Sequence, residues 1–395
     1  MCIIAIPSLV WFLLWFRYSG KVKSFGQNSK VLDFLHGKEN TLYYFAHWKY
    51  GLIPNINSAM GLTVGREKYR PKREIIHGLD GGEIGLDWFT LKGEASDDID
   101  DGLSPDAPIL VIEHGLSGGS SERYVQKIGL RVRRQINWRS VCILFRGCCG
   151  TKLITQRIYH GGQTEDYHVA LTKIHERYPK APLLLIGFSI GGNVLIKYLG
   201  EQFSKTPVRL PGKHIVDKAG LVPNIVCACA VGAPYNLQYC VDHYTKPQEV
   251  MIGKNLYHYL SKHEEMLKNN PEVAKRLEIF KKNADMRVCV FDDYFTSLLN
   301  GYKDGRAYHE DASSDQYMDG IKTPLLLISA KNDPVSFYGA FPENQIKANP
   351  NIAALVTPGG AHLGYFNFAS LKTFDEEMAL QFFQYQLQQS TKSNS

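Results

Sequence analysis

The sequence predicts an α/β fold: a mostly parallel sheet with helices on both faces and a helical lid inserted between two of its strands. Three observations predict it. Short apolar runs alternate with amphipathic segments along most of the chain, as strand–helix–strand crossovers require. One such run, Leu183-Leu184-Leu185-Ile186, leads into Gly187-Phe188-Ser189-Ile190-Gly191 and then into the helical stretch 192–199. Between residues 233 and 319 the alternation gives way to helical, aromatic-rich sequence and then resumes.

In chain order, residues 1–16 carry no charged side chain, and Trp11, Trp15 and Phe16 are followed at once by Arg17, Lys21 and Lys23. As a helix they reach only ~24 Å, short of a ~30 Å hydrocarbon core. A cleaved signal peptide is the rival reading, but it usually opens with a basic region that is missing here. We read residues 1–23 as a retained single-pass membrane anchor. Residues 24–72 have no clean period and read as an N-terminal extension packed on the main domain, which spans 73–388. Two strand-like runs between Arg73 and Leu91 flank Asp80-Gly81-Gly82, a hairpin signature. The acidic stretch 94–106 reads as a solvated loop, since Ile99 and Pro108 stand where a calcium loop needs oxygen ligands.

Strands are expected at 109–112, 140–145, 182–186, 225–231, 324–329 and 352–356. Helices are expected at 122–135, 165–177 and 374–388. The segment from about 233 to 319 reads as the lid, and 389–395 as a disordered polar tail.

Composition narrows the function classes. The 395 residues are 44% hydrophobic and 21% charged, which suits a chain able to bury one large core. The net charge of +6 is mild and dispersed, and no nucleic-acid partner is expected. The cluster Arg131-Val132-Arg133-Arg134 reads as a solvated helix face. The eight cysteines show no zinc-type spacing and read as reduced thiols. No metal, no organic cofactor and no obligate protein partner is expected.

The chemistry resides in three positions. A serine flanked by glycines between a strand and a helix is the setting of a nucleophile elbow. Serine needs a base to take its proton and an acid to orient that base. Asp333 follows one late strand in Asn332-Asp333-Pro334, and His362 follows the next in Gly360-Ala361-His362. Both lie beyond carboxyl ends of strands, where open α/β sheets place their sites, and in the order Ser, Asp, His. Asp292 and Asp293, inside the lid, are competing acids. Asp166 reads as a helix cap, and His160 as a structural histidine. An oxyanion would be met by the backbone N–H of Ile190 and by that of Leu116, in the loop His114-Gly115-Leu116-Ser117-Gly118-Gly119. No G-K-[ST] follows those glycines, so they do not read as a phosphate cradle.

Taken together these stretches resemble the α/β-hydrolase-domain family that includes bacterial YheT-like hydrolases, plant and yeast relatives, and animal membrane-anchored lipid hydrolases. Asp80-Gly81-Gly82 with Leu86-Asp87-Trp88, residues 114–120, 145–150, 159–162, 165–166, 187–193, 291–293, 332–334 and 360–366 carry the resemblance. It implies an α/β-hydrolase fold, a Ser189–Asp333–His362 triad and activity on acyl esters such as monoacylglycerols, phospholipids or short esters. It also implies acyl transfer to alcohols in some fungal members, which is kept as the alternative. A non-catalytic receptor on the same fold is a further rival. Asn332 stands where many members have Asp, and Ala361 where many have Gly. No H-x-x-x-x-D acyl-transfer motif occurs. The expected partners are a lipid ester and a membrane, most simply that of the endoplasmic reticulum. The charges after residue 16 place the body in the cytosol and the resemblance places it in the lumen, so the side stays open.

Overall fold

The computed structural model describes residues 13, 15–26, 29–47, 54–206, 220–367 and 372–393. Among them, nine strands form one sheet. In chain order these are β1 (Lys23–Phe25), β2 (Lys72–His77), β3 (Glu83–Trp88), β4 (Ile109–Glu113), β5 (Arg139–Leu144), β6 (Leu183–Phe188), β7 (Ile225–Val231), β8 (Leu325–Ala330) and β9 (Ile352–Thr357). Across the sheet the order is β1-β9-β8-β7-β6-β4-β5-β3-β2. The stretch from β9 to β5 is parallel throughout. The β2–β3 hairpin and β1 join its two ends antiparallel. The expected α/β class with a mostly parallel sheet is what forms.

The central strands are apolar at successive positions because both faces are covered. Ile109, Val111, Leu183 and Leu185 enter one core layer, while Leu110, Ile112, Leu184 and Ile186 enter the other. The first layer is covered by α3 (Thr164–Arg177), α4 (Ile190–Glu201) and the helices that follow β7. The second is covered by α2 (Arg123–Arg131), by α9 (Phe374–Ser393) and by Val31, Leu32, Phe34 and Leu35 of the N-terminal region. Between β7 and β8 run α5 (Leu237–His243), α6 (Lys246–Ser261), α7 (Pro271–Asn283) and α8 (Gly305–Ala312), with short helical turns among them. Helix α1 (Pro54–Thr63) lies beside the loop after β9, close enough that a Cβ on Gly61 would meet the Leu363 carbonyl oxygen at 2.2 Å.

Several local expectations are revised. Residues 23–25 do more than join an anchor to an extension: they pair with β9 and cover its open edge, a usual defence against stray strand pairing. Helix α9 continues to Ser393, so 389–393 are helical where a disordered tail is expected. The Gln-rich end is compatible with helix, and Lys392 in its last turn faces the negative end of the dipole. Arg133 is buried in a π-helical turn at Val132–Ile136 and donates to the backbone carbonyls of Asp100 and Asp101. Of the expected anchor, residues 1–12 and 14 lie outside the described residues. Among the described residues no helix is long and apolar enough to cross a membrane.

Candidate functional site

The carboxyl ends of β4, β6, β8 and β9 all open on one rim of the sheet, and each carries one part of the site. Ser189 occupies the turn from β6 to α4 with φ 55° and ψ −122°, a backbone conformation that non-glycine residues rarely hold. The turn closes only because its neighbours lack side chains. A Cβ on Gly187 would lie 2.5 Å from the Gly191 carbonyl oxygen, and one on Gly191 would lie 2.5 Å from that of His114.

His362 reaches Ser189 from the loop after β9, with Nε2 at 2.9 Å from Ser189 Oγ. Its Nδ1 lies 3.0 and 3.2 Å from the two oxygens of Asp333. A carboxylate accepts only, so the proton belongs on Nδ1, and Nε2 is left to accept the serine proton. Asp333 Oδ1 also accepts the N–H groups of Val335 and Ser336, each at 2.8 Å, which fixes the carboxylate in place. All three side chains are buried.

The histidine loop is itself braced. Asn332 Oδ1 accepts the Ala361 N–H at 2.8 Å, and Ser58 Oγ of α1 accepts the His362 N–H at 3.0 Å. Ala361 has φ 49°, in the left-handed region that glycine fills most easily. Ser58 had no signal in the sequence, because its partner lies about three hundred residues away.

Leu116, Ser189 and Ile190 line one cavity. The N–H groups on either side of Leu116 are engaged: Gly115 donates to Tyr124 Oη and Ser117 to Tyr159 Oη, both at 2.9 Å. Ile190 is the first residue of α4, where N–H groups have no intrahelical acceptor. His114 holds this loop from below. Its Nδ1 lies 2.7 Å from the Gly115 carbonyl oxygen, and its Nε2 accepts the Phe145 N–H at 3.2 Å. Burial pushes its pKa down to about 4, against smaller upward pulls from the Gly115 carbonyl and the Asp87 carboxylate. The ring therefore stays neutral at ordinary pH.

The cavity is narrow, about 100 Å³, with largely apolar walls that include Leu237, Val241, Ile252 and Leu256. The competing acids take other partners. Asp292 pairs with His309, and Asp293 accepts the Gly305 N–H at 2.7 Å. Asp166 does not cap its helix: it binds the buried guanidinium of Arg146. His160 lines the cavity, its Nδ1 accepting the Gly162 N–H and its ring lying edge-on to Tyr302 and Tyr308. The Asp292–His309 pair had no short-range signal, since the two lie on separate helical segments seventeen positions apart. Among the described residues no group of three or more His, Cys, Asp or Glu is placed to hold a metal ion.

No protein-family profile matches the chain. A monoacylglycerol lipase of Saccharomyces cerevisiae is 31% identical over 265 residues, which are 66% of this chain and 55% of that one. Phospholipase ABHD3 of Homo sapiens is 30% identical over 304 residues, 74% of this chain and 66% of its own. The putative esterase YheT of Escherichia coli is 26% identical over 298 residues, 75% and 79% of the two chains. The chain thus spans little more than half the length of the yeast relative and about two thirds of the human one. Among solved structures, an esterase of Pyrococcus furiosus is a distant likeness, with TM-score 0.48 and 18% identity over 82% of this chain and 96% of that one. With the sheet order and the strand–serine–helix turn described above, the relatives place this chain in the α/β-hydrolase-domain family.

Proposed function

We propose that this chain is a membrane-associated serine hydrolase that cleaves carboxylic esters of lipids, monoacylglycerols or phospholipids. Ser189 attacks the acyl carbonyl while His362 Nε2 takes its proton. Asp333 keeps the imidazole in the productive tautomer and stabilises the imidazolium. The N–H groups of Ile190 and Leu116 receive the oxyanion. His362 then returns the proton to the departing alcohol, and water, activated by the same histidine, frees the acyl group from Ser189.

One observation carries the reading. Ser189, His362 and Asp333 come from three separate strand ends, yet form one hydrogen-bonded line opening on an apolar cavity. The apolar walls suit an acyl chain, and the names of the relatives suit a lipid ester. Residues 233–319 would act as the lid over the cavity, and 1–23 as the tether to a membrane such as that of the endoplasmic reticulum.

The test is Ser189→Ala in the full chain, assayed with a fluorophosphonate probe and a panel of lipid esters. Labelling should vanish and kcat should fall by several powers of ten, on the order of the loss seen when a triad member is removed. Labelling that persists would refute the assignment.

A further inference from the structure

The cavity has a polar corner that the proposed reaction does not use. His309 stands between two acceptors. Its Nε2 lies 2.7 Å from Asp292 Oδ2, and its Nδ1 lies 3.2 Å from Gln238 Oε1. The orientation of Gln238 is set by its other end, which donates to Asp242 Oδ1 at 2.8 Å. Asp292 Oδ1 accepts the Thr296 hydroxyl at 2.7 Å. Each carboxylate oxygen thus takes one hydrogen bond and keeps a second acceptor site. Asp292, Thr296, Tyr308 and His309 are all buried and line the same cavity as Ser189.

Tyr308 supplies the complementary donor. Its Oη accepts the Gly161 N–H at 3.0 Å, and its own hydrogen has no acceptor among the described residues. Burial and the nearby Asp292 charge hold the phenol well above its usual range, so it keeps that hydrogen. Gly161 also abuts the side chain of Ile190, which brings Tyr308 close to the residue following the serine.

An acceptor carboxylate beside a donor phenol matches a hydroxyl group, which needs both. It does not match a phosphate, which needs cations and donors and is repelled by a carboxylate. Among the described residues that line the cavity there is no Lys or Arg. We infer that Asp292, oriented by His309 and Thr296, and Tyr308 form a subsite that binds an uncharged hydroxyl of the ester substrate and disfavours an anionic head group in the cavity. The hydroxyl can belong to the alcohol part, as in a monoacylglycerol, or to a hydroxylated acyl chain. This inference rests on the esterase reading and narrows its substrate.

The test compares kcat/KM of the full chain for four esters: a 1-acylglycerol, the propyl ester of the same acid, the corresponding acylglycerol phosphate, and a propyl ester of a hydroxylated acid. The wild type should prefer a hydroxylated ester to the plain propyl ester and turn over the phosphate most slowly. In Asp292→Asn and Tyr308→Phe the preference for the hydroxylated ester should shrink on the order of tenfold, the usual cost of a lost hydrogen bond to a buried site. Asp292→Asn should also narrow the discrimination against phosphate. A shrinking acylglycerol-to-propyl ratio places the hydroxyl on the alcohol, and a shrinking hydroxyacyl-to-propyl ratio places it on the acyl chain. Ratios unchanged in both variants, or a wild type that prefers the phosphate, would overturn the subsite and leave Ser189 chemistry intact. Ester turnover undiminished in Ser189→Ala would overturn the esterase reading itself.

Discussion

Acid should loosen the loop that carries Leu116, and the group responsible should be His114. The ring is fully buried and neutral, donating from Nδ1 to the Gly115 carbonyl and accepting the Phe145 N–H at Nε2. A second proton would have to sit on Nε2, where it would face another donor. Burial, which penalises the charged ring, is the origin of a pKa of about 4 in the folded chain, against 6.5 for the free side chain. Between those values the unfolded chain binds a proton that the folded chain refuses. The contribution of His114 to stability is therefore fully present above pH 6.5 and is lost as pH falls toward 4. Going from pH 7 to pH 5, the loss is about 2 kcal/mol. His114→Asn removes the titration while keeping an amide that can donate to Gly115. Urea unfolding of both proteins, followed by tryptophan fluorescence, should show a constant penalty for the variant at pH 7. From pH 7 to pH 5 the wild type should lose about 2 kcal/mol more than the variant. Parallel losses in the two proteins would refute the argument.

Two further outcomes separate the proposed site from its rivals. Asp333→Asn should lower kcat by about four powers of ten by disturbing the histidine tautomer, whereas Asp293→Asn should keep the triad working, as steady-state ester hydrolysis will report. Gly191→Ala should destabilise the fold by roughly 3 kcal/mol or prevent it from forming, because the new Cβ would meet the backbone oxygens of His114 and Glu113 at 2.5 and 2.7 Å. Thermal unfolding will measure that cost, and an unaltered midpoint would contradict the packing described for the serine turn.

The sheet was legible because buried parallel strands must be apolar at successive positions. The apolar pattern marks Ile225–Val231 at its observed bounds, and the other core strands within a residue or two. The serine turn was legible for a local reason. A strained strand-to-helix corner demands glycines on both sides, and Gly187 and Gly191 mark it in five residues. The positions of Asp333 and His362 could be chosen because each directly follows an apolar strand. The end of α9 and the burial of Arg133 are not legible in the sequence, because both depend on partners or turns that composition does not report.

By itself, then, the sequence determined the α/β class, the strained serine corner and the candidates for the base and acid, all of them consequences of local pattern. Tertiary structure alone decided which histidine meets the serine and which carboxylate meets the histidine. Ser189 and His362 lie 173 positions apart, and a place after an apolar strand marks Asp333 as a candidate without showing that its carboxylate, and not that of Asp292, meets His362. The parallel sheet settles it by bringing β6, β8 and β9 to one rim, while the helices after β7 turn Asp292 toward His309. Pairing across such distances is a matter of three-dimensional closure, and the sequence carries it only through the packing of the whole core.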